Sequence, residues 1–275
     1  MKRYLIKPGQ KVDLDEFDPG DNSEFKGGKQ EGLAAVAQLV SELDALQELL
    51  YAGHRHKVLI VLQAMDTGGK DGTIRRIFEG VNPQGVRVAS FKVPTPAELD
   101  HDYLWRIHSE VPAKGEIVIF NRSHYEDVLV VRVHDLVPPE IWKRRYDQIN
   151  EFERMLADEG TTILKFFLHI TPAEQKKRLL ARLKDETKQW KYNPADLKER
   201  QLWKQYMHAY ADVLAKTSTE YAPWHVVPGD RKWYRDWVVA TVLVDTLREL
   251  KMNFPVPQFD VEAARGELEA LPAET

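Results

Sequence analysis

Apolar positions along the chain alternate between two rhythms. From Leu33 to Leu50, the residues Leu33, Val36, Leu39, Val40, Leu43, Leu46, Leu49 and Leu50 recur at spacings of three and four, the period of one helical face. The pattern predicts a helix that stops near Gly53. Basic His54-Arg55-His56-Lys57 then gives way to Val58-Leu59-Ile60-Val61-Leu62, an unbroken run rich in β-branched residues, which is how a strand buried on both faces reads. The alternation continues. Strands are expected over 86–91, 116–120, 162–170 and 224–227, and helices over 70–79, 96–110, 140–158, 172–184, 194–216 and 231–251. Thr95-Pro96, Thr171-Pro172, Asn193-Pro194 and Asp230 stand where helix starts need an N-cap or a first-turn proline. Short apolar strands separated by longer helical stretches imply parallel strands joined by crossover helices, so the expectation is one α/β domain with a five-stranded parallel sheet sandwiched by helices.

Two flanking segments break the rhythm. Residues 8–31 crowd Pro8, Gly9, Pro19, Gly20, Gly27 and Gly28 among charges, so 1–31 reads as an N-terminal arm that wraps without a core of its own. From Pro255 onward five Asp/Glu face only Arg265, and 255–275 reads as a peripheral acidic tail. The domain between them spans 32–254.

Composition narrows the classes. The 275 residues carry 39 Lys+Arg against 43 Asp+Glu, a net charge of −4, which argues against a broad nucleic-acid surface. No cysteine is present, so thiol chemistry, disulfides and Cys-based metal sites are excluded and a cytoplasmic setting is the simplest fit. No window approaches the roughly 18 apolar residues of a membrane span, and the first residues lack the apolar run of a signal peptide.

The candidate chemistry lies just after the first strand, in Ala64-Met65-Asp66-Thr67-Gly68-Gly69-Lys70-Asp71-Gly72-Thr73. Glycines between a buried strand and a helix let successive amides converge, while Lys70 and the helix start add positive charge: a phosphate loop. The match to G-x-x-x-x-G-K-[ST] is imperfect, since Ala64 replaces the first glycine and Asp71 follows the lysine. Asp66, a carboxylate among anion-binding groups, calls for a cation between, and Mg²⁺ is the economical one; a turn residue capping the helix is its plainer alternative. After the third strand comes Asn121-Arg122-Ser123-His124-Tyr125-Glu126-Asp127, which an open parallel sheet brings near the first loop. Here Arg122 can fork onto phosphate, and Asp127 or Glu126 can supply a second acidic group. The segment 171–200 holds nine Lys/Arg and five Asp/Glu, a local +4 that leaves −8 for the rest. Its Arg178 and Arg182 share a helical face, and a helix, polar break and helix over about 178–200 has the form of a lid.

Three blocks, Asp66-x-x-Gly69-Lys70-Asp71-Gly72-Thr73, Phe120-Asn121-Arg122-Ser123-x-Tyr125 and the Arg178/Arg182 pair, agree in order and spacing with a known family. From about residue 30 to 255 the chain resembles the family-2 polyphosphate kinases. The resemblance implies a P-loop kinase fold similar to thymidylate kinase, with a helical lid, and Mg²⁺-dependent phosphoryl transfer between inorganic polyphosphate and a nucleotide. It implies Gly68, Gly69, Gly72, Thr73, Arg178 and Arg182 as phosphate binders; Asp66, Lys70, Arg122 and Asp127 as catalytic groups, with Asp66 and Asp127 the metal pair; and Asn121 and Glu126 on the nucleotide side. Many members have Asp where this chain has Asn121, which shifts weight to Glu126-Asp127 and looks like the subgroup acting on both AMP and ADP, with GMP and GDP as further candidates. The family's habit and the arm favour a homo-oligomer. Two rivals remain on the sequence alone: an ATP-dependent nucleoside monophosphate kinase of the same fold, and a non-catalytic phosphate-binding module.

Overall fold

In the computed structural model, which describes residues 1–272, the two rhythms become a five-stranded sheet in the order β2-β3-β1-β4-β5 with every neighbouring pair parallel. The strands are β1 (Lys57–Gln63), β2 (Val86–Ser90), β3 (Ile117–Asn121), β4 (Thr161–His169) and β5 (Trp224–Pro228). Helices α1 (Lys29–Gly53), α2 (Lys70–Ile77), α3 (Pro96–Leu99), α4 (Trp105–His108), α5 (Val130–Val133) and α6 (Pro139–Asp158) belong to the first half. The second half adds α7 (Pro172–Lys184), α8 (Asp196–Gln201), α9 (Trp203–Thr217), α10 (Lys232–Glu249) and α11 (Val261–Glu269).

The period of two along each strand divides the core into layers. Leu59 and Val61 of β1 join Val118 and Phe120 of β3 on the side covered by α6 and α9. Val58, Ile60 and Leu62 join Ile117 and Ile119 on the side covered by α1 and α10. On β4 the same alternation sets Lys165 in line with Ile163 and Phe167, a fully buried cation between apolar neighbours. Gly32 lets α1 close on α10, because a Cβ there would overlap the Trp233 ring.

Two expected helices are divided. The stretch 96–110 forms only α3 and α4, because Asp102 Oδ1 accepts the Leu104 amide at 2.9 Å and holds the chain in a turn between them. The stretch 194–216 divides at Leu202, whose amide bonds the Glu199 carbonyl in a tighter turn (3.1 Å) than a helix would make. The N-terminal segment lies against the body: Tyr4, Ile6, Val12 and Leu14 are buried, and the Ile6 amide donates to Trp224 O at 2.9 Å beside β5. In the C-terminal segment α11 buries no residue, and residues 273–275 of the expected tail lie outside the described residues.

This strand order positions the site. β2 and β3 lie on one side of β1 while β4 and β5 lie on the other, so the connections leaving β1, β3 and β4 open into one crevice at the carboxyl ends of the strands.

Candidate active site

The loop after β1 is tightly constrained. Thr67 and Gly69 both take left-handed backbone angles, φ +60° and +110°, and at Gly68 a Cβ would stand 2.5 Å from the Ala64 Cβ and 2.7 Å from Met65 O. A β-branched residue at positive φ is strained, a feature that concentrates at functional loops. Lys70 folds back across the turn, nearly buried, and donates to Ala64 O at 2.9 Å. Burial pushes its ammonium down and the Arg122 charge adds to that, while Asp66, Glu126 and Asp71 work in the opposite direction. Thr67 Oγ1 is buried with no partner, and the first-turn amides of α2 have no carbonyl four residues back to bond. Unused donors beside a buried lysine suit an anion.

The turn after β3 meets this loop. Arg122, itself at φ +62°, donates to Asp66 Oδ1 at 2.7 Å, and its other terminal nitrogen stands 3.7 Å from Glu126 Oε2. Burial works against its charge, yet Glu126 and Asp66 hold the guanidinium above its ordinary value. Asn121 donates to Asp71 Oδ1 at 2.8 Å. Asp66, Lys70, Asn121, Arg122 and Glu126 therefore converge. Asp127 has a partner of its own. Its side chain, only 12% exposed, pairs with Arg145 of α6 at 3.0 Å, and Arg145 in turn lies over the Tyr103 ring. A carboxylate so buried needs a partner, and α6 supplies one; the acidic group that shares Arg122 with Asp66 is Glu126. Burial still pushes Asp127 up to about 6 against the pull of Arg145 and Arg106.

Two further expected phosphate binders sit differently from the sequence reading. Thr73 is buried and its hydroxyl donates to Asp236 Oδ1 at 3.3 Å, the same oxygen that accepts from Arg235. Arg178, read as part of a lid, is braced against the loop: Nη1 donates to Thr67 O (3.2 Å) and Gly68 O (2.9 Å), Nη2 to Gly229 O (2.6 Å), and Nε to Glu174 (2.9 Å). Arg182, one turn further along α7, donates instead to Lys191 O at 2.9 Å and lies 3.8 Å from Asp196.

Sequence reading missed Arg235. This residue of α10 is 2% exposed and lies directly behind the loop, where a Cβ on Gly69 would overlap its Nη1 and one on Gly72 would come 3.6 Å from Nη2. Its Nε (2.9 Å) and Nη2 (2.6 Å) both donate to Asp236 Oδ1. The available signal was an Arg-Asp pair inside the apolar stretch Trp233-Tyr234-Arg235-Asp236-Trp237-Val238. Gln175 was missed too; it is buried and ties the loop to α7 by donating to Asp66 O at 3.0 Å.

With this geometry in place, comparison with known proteins is decisive. The model of the family Polyphosphate kinase 2 (PPK2) matches residues 26–255. The chain belongs to the polyphosphate kinase 2 family. It is 60% identical over 258 residues to an AMP/ADP-polyphosphate phosphotransferase of Meiothermus ruber, covering 94% of this chain and 97% of that one. An ADP-polyphosphate phosphotransferase of Rhodopseudomonas palustris is 44% identical over 266 residues, covering 92% of each chain. Among solved structures, a polyphosphate kinase 2 from Arthrobacter aurescens TC1 superposes with a TM-score of 0.92 at 45% identity, covering 96% of this chain and 95% of that chain. The fold is thus that of the P-loop kinases, and this member of the polyphosphate kinase 2 family is an enzyme of phosphoryl transfer between polyphosphate and nucleotides. Among the described residues no helix is long and apolar enough to cross a membrane.

Proposed function

We propose that this enzyme transfers phosphoryl groups between inorganic polyphosphate and both AMP and ADP, directly and in line, with Mg²⁺. The observation that carries the reading is the meeting of Lys70, Arg122 and the carboxylates of Asp66 and Glu126 at the carboxyl ends of β1 and β3. Phosphoryl transfer between two anions needs alignment and charge neutralisation more than covalent chemistry. Lys70, the amides around Gly68, Gly69 and Gly72, and Arg235 hold the donor's terminal phosphates. Arg122 bridges donor and acceptor, and Asn121 and Glu126 face the nucleotide. Asp127, through Arg145, steadies the acceptor side. Arg178 braces the phosphate loop, and the basic segment beyond it, with Arg182, closes over the chain of phosphates as a lid.

The donor set fits Mg²⁺. Asp66 and Glu126 offer hard oxygen ligands at partly exposed positions, with side chains 26% and 17% exposed. Among the described residues no group of three or more acidic or imidazole side chains could hold a metal ion. Mg²⁺ ordinarily takes one or two carboxylates and completes its shell with substrate phosphates and water, so this sparse set suits it. When bound, it would neutralise charge on the transferring phosphoryl group.

The absence of cysteine supports a cytoplasmic setting. Exposed Phe254, Val256 and Phe259 in the C-terminal segment support a homo-oligomer. The test is direct: purified protein with Mg²⁺ and polyphosphate is given AMP, ADP, GMP or GDP. ATP from ADP and ADP from AMP are expected. Activity from ATP with a monophosphate, and none from polyphosphate, would overturn the reading.

A further inference from the structure

Behind the turn that carries Arg122, Glu126 and Asp127 lies a polar network that touches no substrate-facing group. Lys165 of β4 and Glu153 of α6 are both 0% exposed, and Lys165 Nζ donates to Glu153 Oε2 at 2.5 Å. Its other two donors go to Tyr125 Oη (2.8 Å) and Thr217 O (2.7 Å), so the ammonium is completely satisfied. The second oxygen of Glu153 accepts from Tyr125 Oη at 2.7 Å and lies 3.2 Å from His124 Nε2. Tyr125 also packs edge-on against Trp224, with ring centroids 4.8 Å apart. From the other side, Gln63 at the end of β1 donates to Ser123 Oγ at 3.1 Å, and that oxygen accepts the Tyr125 amide at 3.2 Å.

Three consecutive residues, Ser123, His124 and Tyr125, are thereby tied to β1, α6 and β4. The residues that flank them, Arg122 before and Glu126 and Asp127 after, bear the charges of the site. Stability does not explain this construction. A buried ion pair commonly contributes little net stability, because desolvating both charges offsets their attraction, and well-packed apolar replacements often serve as well. A buried pair in which every ammonium donor and both carboxylate oxygens are engaged does something else: it restricts its neighbours to one geometry. The left-handed backbone at Arg122 needs such enforcement, since that conformation is costly for a non-glycine residue.

We propose that the Lys165–Glu153 pair is a positioning device for phosphoryl transfer: through Tyr125 and His124 it fixes the turn that aims Arg122 and Glu126 at the phosphate loop. The proposal rests on the reading of that turn as part of the reaction machinery. It assigns Lys165, Glu153 and Tyr125 to geometry and gives none of them a contact with substrate.

The experiment removes both charges together, Lys165→Met with Glu153→Gln, so that no unpaired charge is left in the core. Thermal unfolding and steady-state kinetics with polyphosphate and ADP are then measured. The folded variant should lose about tenfold in kcat while KM for both substrates stays within about twofold, because binding groups remain but their alignment degrades. Tyr125→Phe, which deletes one hydroxyl and keeps the ring, should show the same pattern at about threefold and decides the matter if the double variant fails to fold. Combined with Glu126→Gln, Tyr125→Phe should cost almost nothing further, since both act through one turn. Wild-type kcat in a folded variant, a loss confined to KM, or full additivity with Glu126→Gln would each overturn the positioning role. Wild-type turnover by Arg122→Ala would sink the functional reading beneath it, a separate and recognisable result.

Discussion

Among the described residues two cation–carboxylate pairs have both partners buried, and they differ in what is left over. Lys165–Glu153 sits within the layer between the sheet and α6, and every ammonium donor has a protein acceptor. Arg235–Asp236 sits behind the phosphate loop, and both of its hydrogen bonds between the two side chains use Nε and Nη2, leaving Nη1 against Gly69 with no acceptor among the described residues. Counting donors separates a cation that holds the protein from a cation that awaits a ligand. Burial alone does not separate them, since Arg235 is 2% exposed and Lys165 0%. Lys70 belongs with Arg235 by this criterion: its one bond to protein, to Ala64 O, leaves two of three donors for phosphate.

The largest effect should come where spare donors are densest. Lys70→Met is expected to lower kcat/KM by about a thousandfold with polyphosphate and ADP, the scale for removing a donor aimed at developing charge. Circular dichroism should show the fold retained. A loss under tenfold would break the distinction at its clearest point.

A third solution to burying a titratable group is to give up the charge, and His225 of β5 takes it. Burial pushes its imidazole down from 6.5 to about 4, with the chain's amino terminus adding slightly and a hydrogen bond involving Lys165 opposing. Between those values the unfolded chain binds a proton that the folded chain refuses. Stability from this group is therefore complete above about pH 6.5, falls as pH drops through the window, and is gone below about 4. The expected size is about 3 kcal/mol. Urea titrations at pH 7 and pH 4.5 should show His225→Phe losing less stability on acidification than the wild type; equal losses would refute the assignment.

Next in size is a matched substitution at the phosphate loop. Arg235→Met with Asp236→Asn removes that pair as a unit, as Lys165→Met with Glu153→Gln removes the other. The loop pair should raise KM for polyphosphate about thirtyfold, the worth of a charge-assisted hydrogen bond of about 2 kcal/mol, and should flatten the dependence of KM on salt. The core pair should leave KM and its salt dependence alone and act on kcat. Identical profiles from the two double variants would show that donor counting carries no functional information.

The same contrast explains what the sequence discloses and what it hides. The sheet was legible because Val58–Leu62 and Ile117–Phe120 are continuous apolar runs, the pattern that a central parallel strand covered on both faces favours. Gly68, Gly69 and Lys70 were legible because a local strand-loop-helix sequence builds the phosphate loop from neighbours. Arg235 and Gln175 were not, since each reaches the loop from a helix remote in sequence and only the tertiary packing of α10 and α7 brings it there. Lys165 interrupts an apolar strand by one residue, and its partner Glu153 lies on a helix where charge is ordinary. The division between the adjacent acids was hidden for a related reason: Glu126 and Asp127 meet different arginines, Arg122 and Arg145, from one tight 3₁₀ turn, and sequence spacing does not say which faces the loop.

The smallest effect tests whether the distinction holds within one helix. Arg178 and Arg182 lie four residues apart on α7 and looked equivalent in sequence. Arg178 spends its guanidinium on three carbonyls and Glu174, whereas Arg182 donates to one carbonyl, keeps Asp196 at 3.8 Å and remains 24% exposed. Arg182→Ala should therefore leave the unfolding midpoint within a degree or two, since exposed ion pairs contribute about 0–1 kcal/mol, and raise KM for polyphosphate about threefold. The increase should shrink as ionic strength rises, because a partly exposed charge acts on the phosphate chain through screened solvent. Arg178→Ala should behave differently, lowering the unfolding midpoint by several degrees as the loop carbonyls lose their donors. If instead Arg182→Ala unfolds early and Arg178→Ala is thermally silent, α7 does not divide its two arginines between bracing the loop and meeting the ligand.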